Sequence, residues 1–209
     1  MNKNLCFSVV AILATLFTTS AQAEEESNYR YVSGGVGITS PGNDLKVSNA
    51  FNQLNFGLDS TAQWSIAGGY QLKNYRAELE LNYSSFGVNK GTFNTESFPS
   101  DGNVSTSSVL VNGYYDIPTG SKFRPYIGAG IGVGIISAKI KDQGTETDLG
   151  TGSSVAYQGK VGLQYEIAKK GNVFAEFKYL GISSYKSDSG NDVSPPNSYG
   201  LSVGYRQGF

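Results

Sequence analysis

The sequence predicts an all-β protein: a closed, eight-stranded antiparallel transmembrane β-barrel with up-and-down meander topology. Three observations lead to this prediction. Segments of about ten or more residues alternate between an apolar or aromatic face and a small or polar face. Their connections alternate between tight turns and long polar stretches, and an apolar leader precedes them all. A tilted strand of about ten residues is long enough to cross a bilayer.

The N-terminal residues are predicted to be an export signal outside the fold. Lys3 supplies a positive start, 5–17 is apolar, and 21–23 reads Ala-Gln-Ala, a small-residue cleavage site. We therefore expect residues 1–23 to be a cleaved secretory signal peptide and residues 24–209 to form one barrel domain. The apolar stretch is too short for a transmembrane helix, so strands must build any membrane span.

Composition excludes several classes of function. The one cysteine, Cys6, lies in the predicted signal, so we expect no disulfide framework. Histidine is absent, which removes Ser-His-Asp triads, histidine acid–base catalysis and histidine-ligated zinc. The formal net charge of −1 gives no electrostatic footprint for nucleic acid. We expect no cofactor and no nucleic-acid partner.

Eight segments fit the strand pattern, and the third is the most informative. Tyr75, Ala77 and Leu79 would share one face there, while Arg76 and Glu78 would share the other. A half-buried strand of a soluble protein alternates in the same way, so the prediction depends on the whole set. The predicted strands are 30–39, 61–72, 74–86, 105–116, 124–138, 154–167, 172–182 and 199–209.

The connections are alternately short and long. We expect tight turns at 73–74, at 117–121 and at 169–171, where Gly171 would supply the positive φ. The predicted long loops are rich in Ser, Asn, Asp, Gly and Thr and cover 40–60, 87–104, 139–153 and 183–198. In outer-membrane barrels the short turns are periplasmic and the long loops extracellular. A soluble sandwich has less reason for this regular alternation.

The two strand faces predict different surroundings. The presumed lipid face carries aromatic residues concentrated toward strand ends, as in the aromatic girdles of membrane barrels. These residues are Trp64, Tyr70, Tyr75, Tyr83, Tyr115, Tyr157, Tyr165, Tyr179, Tyr199, Tyr205 and Phe209. Strand propensity alone also enriches tyrosine. An inverted barrel, soluble and with this face inward, is the main structural rival.

The opposite face carries four acids and four bases, too many to bury in an apolar core. We expect them to pair across the lumen and plug it, because eight strands leave just enough room for side chains. The predicted lumen charge network comprises Arg76, Glu78, Glu80, Lys160, Glu166, Glu176, Lys178 and Arg206. A conducting lumen is the alternative. Glycines of the fifth predicted strand would leave space for long side chains from other strands. Glu78 and Glu80 share a face, but no cleft or nucleophile accompanies them as a catalytic pair.

Two further stretches carry a family resemblance. Residues 112–117 (Asn-Gly-Tyr-Tyr-Asp-Ile) and 124–132 (Arg-Pro-Tyr-Ile-Gly-Ala-Gly-Ile-Gly) resemble a strand–turn–strand unit of small outer-membrane β-barrels. That group includes the transmembrane domain of outer membrane protein A and the opacity-type surface adhesins. The last strand is similar to the group's assembly signal, with Gln207 departing from its hydrophobic position. The predicted assembly signal comprises Ser202, Gly204, Tyr205, Gln207 and Phe209. The resemblance implies an integral outer-membrane location and the barrel-assembly machinery, outer-membrane lipids and lipopolysaccharide as partners, with no catalytic residue.

Three functions remain open. The favoured one is a non-enzymatic surface protein displaying four extracellular loops for adhesion, host-factor binding or envelope integrity. A narrow porin-like channel is the alternative. An outer-membrane lipid-modifying enzyme or protease is less favoured, because small outer-membrane enzymes of these kinds resemble histidine-dependent hydrolases or transferases and this chain has no histidine. Apolar loop residues either pack the loops together or form an exposed binding patch. These residues are Leu45, Val47, Phe51, Leu54, Phe56, Leu58, Phe93 and Phe98.

Overall fold

The computed structural model describes residues 28–49, 52–94, 96–142, 145–187 and 190–209. The predicted signal peptide lies outside the described residues, so its cleavage stays a prediction. Within the described residues, no helix is long and apolar enough to cross a membrane. The strands are β1 (Asn28–Pro41), β2 (Leu45–Ser48), β3 (Gln53–Leu58), β4 (Thr61–Leu72), β5 (Tyr75–Phe93), β6 (Glu96–Asp116), β7 (Phe123–Asp142), β8 (Thr145–Ala168), β9 (Gly171–Ile182), β10 (Tyr185–Lys186), β11 (Asp192–Ser194) and β12 (Ser198–Gly208).

Eight of the described strands form a hydrogen-bonded ring. β1, β4, β5, β6, β7, β8, β9 and β12 pair in this order, each antiparallel to the next. β12 then pairs with β1, with Tyr31 opposite Gly208 and Pro41 opposite Ser198. The predicted eight-stranded meander is therefore confirmed. We call this ring the barrel, its end with the tight turns the turn end, and the opposite end the loop end.

Two of the predicted long loops are wrong. Residues 87–104 and 139–153 largely continue β5 into β6 and β7 into β8 as paired hairpin arms. These arms are rich in Ser, Thr, Asn and Gly, which suggested loops from sequence. In the structure polar side chains of these arms pair across the strands instead, with Ser85 Oγ donating to Asn103 Oδ1 at 2.7 Å and Ser137 Oγ 2.9 Å from Thr151 Oγ1.

The other two predicted loops each contain two short strands. β2 follows β1, β3 precedes β4, β10 follows β9 and β11 precedes β12, so each continues the neighbouring barrel strand. They pair in the order β10-β11-β2-β3-β5. Together with the far ends of β5 to β8 they prolong the wall beyond the barrel. We call this part the extension.

The outward face of the barrel carries two aromatic belts. Near the turn end, ring centroids lie 5.2 Å apart in the Tyr75–Tyr115 pair and 4.5 Å apart in the Phe123–Tyr165 pair. Near the loop end, Trp64 lies 5.6 Å from Tyr83. Exposed aliphatic residues such as Ile131 fill the band between the belts. This arrangement confirms the predicted outward face and rules out the inverted barrel.

One detail of the turns differs from expectation. The β8–β9 turn places the positive φ at Lys170 (56°), not at Gly171, and the β4–β5 turn has Lys73 at 54°. Both lysines occupy the left-handed region that usually selects glycine or asparagine.

Candidate functional site

The lumen of the barrel is filled by the predicted charged residues. Inward positions of β5 supply three of them, and β8, β9 and β12 supply the others. Seven of the eight are buried: Arg76, Glu78, Glu80, Lys160, Glu176, Lys178 and Arg206. The cavity among these side chains has a volume of only about 10 Å³, about the space of one water molecule.

Lys160 is the centre of this network. Its Nζ lies 2.7 Å from Glu80 Oε1 and 3.1 Å from Glu176 Oε1. Glu80 also accepts hydrogen bonds of 2.6 Å from Asn112 Nδ2 and from Gln158 Nε2. One lysine thus bridges two carboxylates from different strands.

Arg76 is paired by an acid that the sequence analysis missed. Its Nε lies 3.0 Å from Asp116 Oδ1, and both side chains are buried. The guanidinium also lies over two aromatic rings, with its carbon 4.2 Å from the Tyr114 centroid and 4.8 Å from that of Tyr126. The signal was present, because Asp116 shares the inward register of Asn112 and Tyr114.

The expectation that every base pairs with an acid is wrong for Arg206 and Lys178. Arg206 Nη1 donates to Gln164 Oε1 at 2.6 Å, and Lys178 Nζ donates to Asn82 Oδ1 at 2.8 Å. Glu78 accepts from the hydroxyls of Tyr31 (3.0 Å) and Tyr114 (2.8 Å). Amides and phenols therefore share with ion pairs the task of satisfying the buried charges.

Glu166 does not belong to the buried network. Its side chain is 42% exposed at the turn end, where Oε2 lies 3.5 Å from Nη2 of Arg124. It stands near the last residues of β8, where water reaches the mouth of the barrel.

Glycines of β7 make room for side chains from β6, as expected. A Cβ atom at Gly128 would collide with the Tyr114 ring, and one at Gly130 would collide with Asn112. The lumen therefore needs these small residues opposite its large ones.

The extension has the opposite filling. Its inward residues form an apolar core that continues into the loop end of the barrel: Leu45, Phe56, Phe86, Val88, Val104, Leu110, Ile136, Ala156, Leu180, Ile182 and Val193. Val47, Leu54 and Leu58 pack against this core. These contacts favour the interpretation that loop residues pack the loops together. Phe93 is exposed, whereas Phe51 and the side chain of Phe98 lie outside the described residues.

The residues of the predicted assembly signal lie on β12 and just after it. Ser202 Oγ donates to Glu176 Oε1 at 3.3 Å, and Gln207 Oε1 accepts from the Tyr205 hydroxyl. Packing explains the glycine at position 204, since a Cβ atom there would collide with the Phe174 ring. Tyr205 and Phe209 are exposed on the outward side.

Comparison with known proteins finds an outer-membrane β-barrel family and relatives that are named as surface proteins. A family model described as "Outer membrane protein beta-barrel domain" matches residues 9–206. "Putative adhesin RC1281" of Rickettsia conorii is 31% identical over 179 residues, covering 78% of this chain and 71% of that protein. "Major surface antigen 4" of Anaplasma marginale is 29% identical over 143 residues, covering 57% of this chain. The match spans 48% of that antigen, about half its length.

Solved structures share the fold at low identity. Neisserial surface protein A superposes with a TM-score of 0.55 at 19% identity, covering 86% of this chain and 97% of that one. OprG from Pseudomonas aeruginosa gives 0.58 at 17%, covering 85% and 95%. The outer membrane protease OmpT from Escherichia coli gives 0.54 at 11%, covering 92% and 99%. At these identities the likeness concerns the fold alone.

Proposed function

The chain belongs to the outer membrane protein β-barrel family, and we propose that it is a non-enzymatic surface protein whose extension contacts ligands outside the cell. It resides in the outer membrane. The names of the relatives, an adhesin and a surface antigen, support a role in adhesion or host-factor binding.

The observation that carries this proposal is the reversal of polarity along the wall. The barrel is apolar outside and polar inside, as lipid requires, whereas the extension is polar outside and apolar inside. A polar outer face around an apolar core is the arrangement of a protein surrounded by water. The extension therefore projects from the membrane as a folded platform, with lipopolysaccharide around the loop-side aromatic belt and the turn end in the periplasm.

The orientation can be tested with two inserted epitope tags. We expect a tag at Asn94, at the tip of the β5–β6 hairpin, to bind antibody on intact cells. A tag at Gly120, in the β6–β7 turn, should bind only after the outer membrane is permeabilised. The reverse pattern would contradict the orientation.

Binding can be tested by shortening the hairpins while keeping strand register. Val88 lies opposite Gly102, so residues 89–101 can be replaced by Asn-Gly. Ala138 lies opposite Gly150, so residues 139–149 can be replaced in the same way. Bacteria of a non-adherent strain displaying the intact chain should adhere to cultured host cells, and the shortened variants should adhere less at equal surface expression. Undiminished adhesion with both hairpins removed would contradict the proposal.

A closed lumen makes a channel the less favoured function. Planar bilayers containing the protein should show no steady conductance steps, because the polar side chains leave about 10 Å³ among them. Single-sized steps from the purified protein would favour the channel instead.

Catalysis by the lumen carboxylates is disfavoured for a related reason. Glu78 and Glu80 are both buried and engaged by hydrogen bonds, so no substrate can reach them. We expect no turnover of lipid or peptide. Turnover that is lost in Glu80→Gln would contradict the non-enzymatic proposal.

We also propose that Ser202, Gly204, Tyr205, Gln207 and Phe209 are read by the barrel-assembly machinery. The exposed rings of Tyr205 and Phe209 support this role. Deleting Phe209 should impair assembly in cells more than refolding in detergent. Phe123→Ala is the matched control, since it removes another exposed ring at the turn end. Equal effects of Phe209 deletion in both assays would make Phe209 a packing residue.

A further inference from the structure

Among the described residues, the charged side chains at the turn end of the barrel are mostly basic. In the described part of the chain it carries Arg30, Lys73, Lys122, Arg124, Lys169 and Lys170, against the exposed acid Glu166. Four of these bases line a basin of about 360 Å³ at the mouth: Lys73, Arg124, Lys169 and Lys170. Such a concentration of positive charge around one cavity favours an anionic ligand.

The floor of the basin does not neutralise this charge. Asp116 lies below, but its carboxylate is taken by Arg76 at 3.0 Å and by the Gln71 amide at 3.0 Å. Glu166 is half-exposed and reaches only Arg124, at 3.5 Å. Among the described residues no ion pair engages Lys73 or Lys170, and Lys170 Nζ lies 5.3 Å from the centroid of the uncharged Tyr29 ring, so neither positive charge is neutralised at the rim.

Backbone conformation gives a second, independent reason to consider these two lysines. Lys73 and Lys170 both adopt positive φ, at 54° and 56°. Asparagine or glycine would fit such a position with less strain. Residues held in sparsely populated backbone regions cluster at functional sites.

An apolar groove begins at the same rim on the outward face. It has a volume of about 660 Å³ and runs across β7, β8, β9, β12 and β1. The residues that line it include Phe123, Tyr165, Tyr205, Val36, Gly34 and Ala175. The groove lies in the outward apolar band, so membrane lipid is what covers it.

The β8–β9 turn separates the groove from the basin. Lys169 and Lys170 stand at this boundary, and Val173, which lines the groove, follows Lys170 by three residues or about 10 Å of strand. A phospholipid is long enough to place its phosphate at the basin and its acyl chain in the groove at the same time.

We propose that the turn end binds an anionic glycerophospholipid, with its phosphate at the basic basin and an acyl chain in the groove. Lysine and arginine attract anionic headgroups at a membrane surface, and charged donors form the strongest hydrogen bonds to phosphate. The proposal needs only the membrane location. It does not depend on the ligand of the extension, so failure of the adhesion assay leaves it unaffected.

The test uses the full chain in nanodiscs that contain phosphatidylcholine and phosphatidylglycerol. Native mass spectrometry measures which lipid stays bound after release. We expect phosphatidylglycerol to be retained preferentially, and the preference to fall roughly fivefold for each lysine removed. Lys73→Asn and Lys170→Asn remove charge while suiting the positive φ, so folding should be preserved or improved.

Four further variants make the result decisive. Lys73→Arg with Lys170→Arg should keep the preference, and Lys46→Asn with Lys90→Asn, in the extension, should leave it unchanged. Ala175→Phe fills the groove and should reduce retention, whereas Ala62→Phe, outward near the loop end, should not. A preference that survives the double asparagine variant overturns the proposal. Loss with the asparagine variants but not with Ala175→Phe, together with displacement by inorganic phosphate, would mean a soluble anion site and also overturn it.

Discussion

The barrel and its extension share four long strands, β5 to β8, and yet have opposite interiors. On β5, the inward residue Glu80 lies in the charged network, while Phe86, six positions later, lies in the apolar core. The outward residues change in the opposite sense, from Leu81 to Ser85. Inward and outward residues alternate along the strand in the same way in the barrel and in the extension. A change of medium along the wall explains this difference, and we propose that the point of reversal is the edge of the membrane.

The two interiors also differ in what the loss of one side chain would leave behind. The lumen of the barrel is held by charges that need each other, so loss of one partner leaves another buried and uncompensated. The core of the extension is held by apolar contacts, so loss of one ring leaves a cavity. Four predictions test the two interiors, the outer surface and the rim of the barrel.

The largest effect is expected at Lys160. Lys160→Met removes the base shared by Glu80 and Glu176 and should lower the free energy of unfolding by about 3–5 kcal/mol. Adding Glu80→Gln should restore part of the loss. The measurement is urea-induced unfolding in lipid vesicles, followed by gel mobility without heating. Lys178→Met is the matched control, because Lys178 contacts an amide. Equal losses at the two lysines would contradict the proposed ion-pair centre.

The next effect should be confined to the extension. Phe56→Ala removes a buried ring from its apolar core and should cost about 3–5 kcal/mol of local stability. We expect faster proteolysis at the loop end. The barrel, which we expect to resist dodecyl sulfate because its ring of strands is closed, should keep that resistance. Phe93→Ala, an exposed ring in the same part of the molecule, should change neither property. Simultaneous loss of the barrel would show that the two regions unfold as one unit.

A pair of substitutions on β7 probes the outer surface at two heights. Ile131→Arg places a charge in the lipid-facing band and should destabilise the bilayer-inserted protein by about 2–4 kcal/mol. Ser137→Arg lies on the same face of the strand but in the extension, and its effect should stay within about 0.5 kcal/mol. Both are measured by unfolding from vesicles. Similar costs would mean that the membrane boundary lies beyond Ser137.

Sequence periodicity was sufficient for the barrel but not for the extension. In the barrel the outer face is apolar and aromatic over about ten residues, which is a strong signal. Beyond the boundary, the hairpin arms carry Ser, Thr, Asn and Gly on the outer face, as in Asn103 and Ser105, and this composition also fits a loop. The short strands β2, β3, β10 and β11 span at most six residues, too few for a period to be read.

The membership of the lumen was predictable, but its pairings were not. Inward register identified seven of the buried charges, because alternation fixes the face. Which groups meet depends on the stagger between strands, which one sequence does not reveal. Lys160 on β8 meets Glu80 on β5 only because the ring of strands closes around a lumen. Asp116, which pairs with Arg76, was overlooked because it is the last residue of its strand.

The smallest expected effect is at the residue that periodicity placed in the lumen and the structure places at the rim. Glu166 is 42% exposed, and its contact with Arg124 is long at 3.5 Å. Exposed pairs of this kind contribute roughly 0–1 kcal/mol, so Glu166→Gln should change unfolding by no more than that. Glu176→Gln is the matched comparison, because Glu176 is buried against Lys160 at 3.1 Å and accepts from the Tyr126 hydroxyl at 2.9 Å. Raising the salt concentration should remove what little Glu166 contributes and leave the Glu176 effect in place, since buried pairs are screened much less. A salt-resistant loss at Glu166 as large as that at Glu176 would return it to the lumen network.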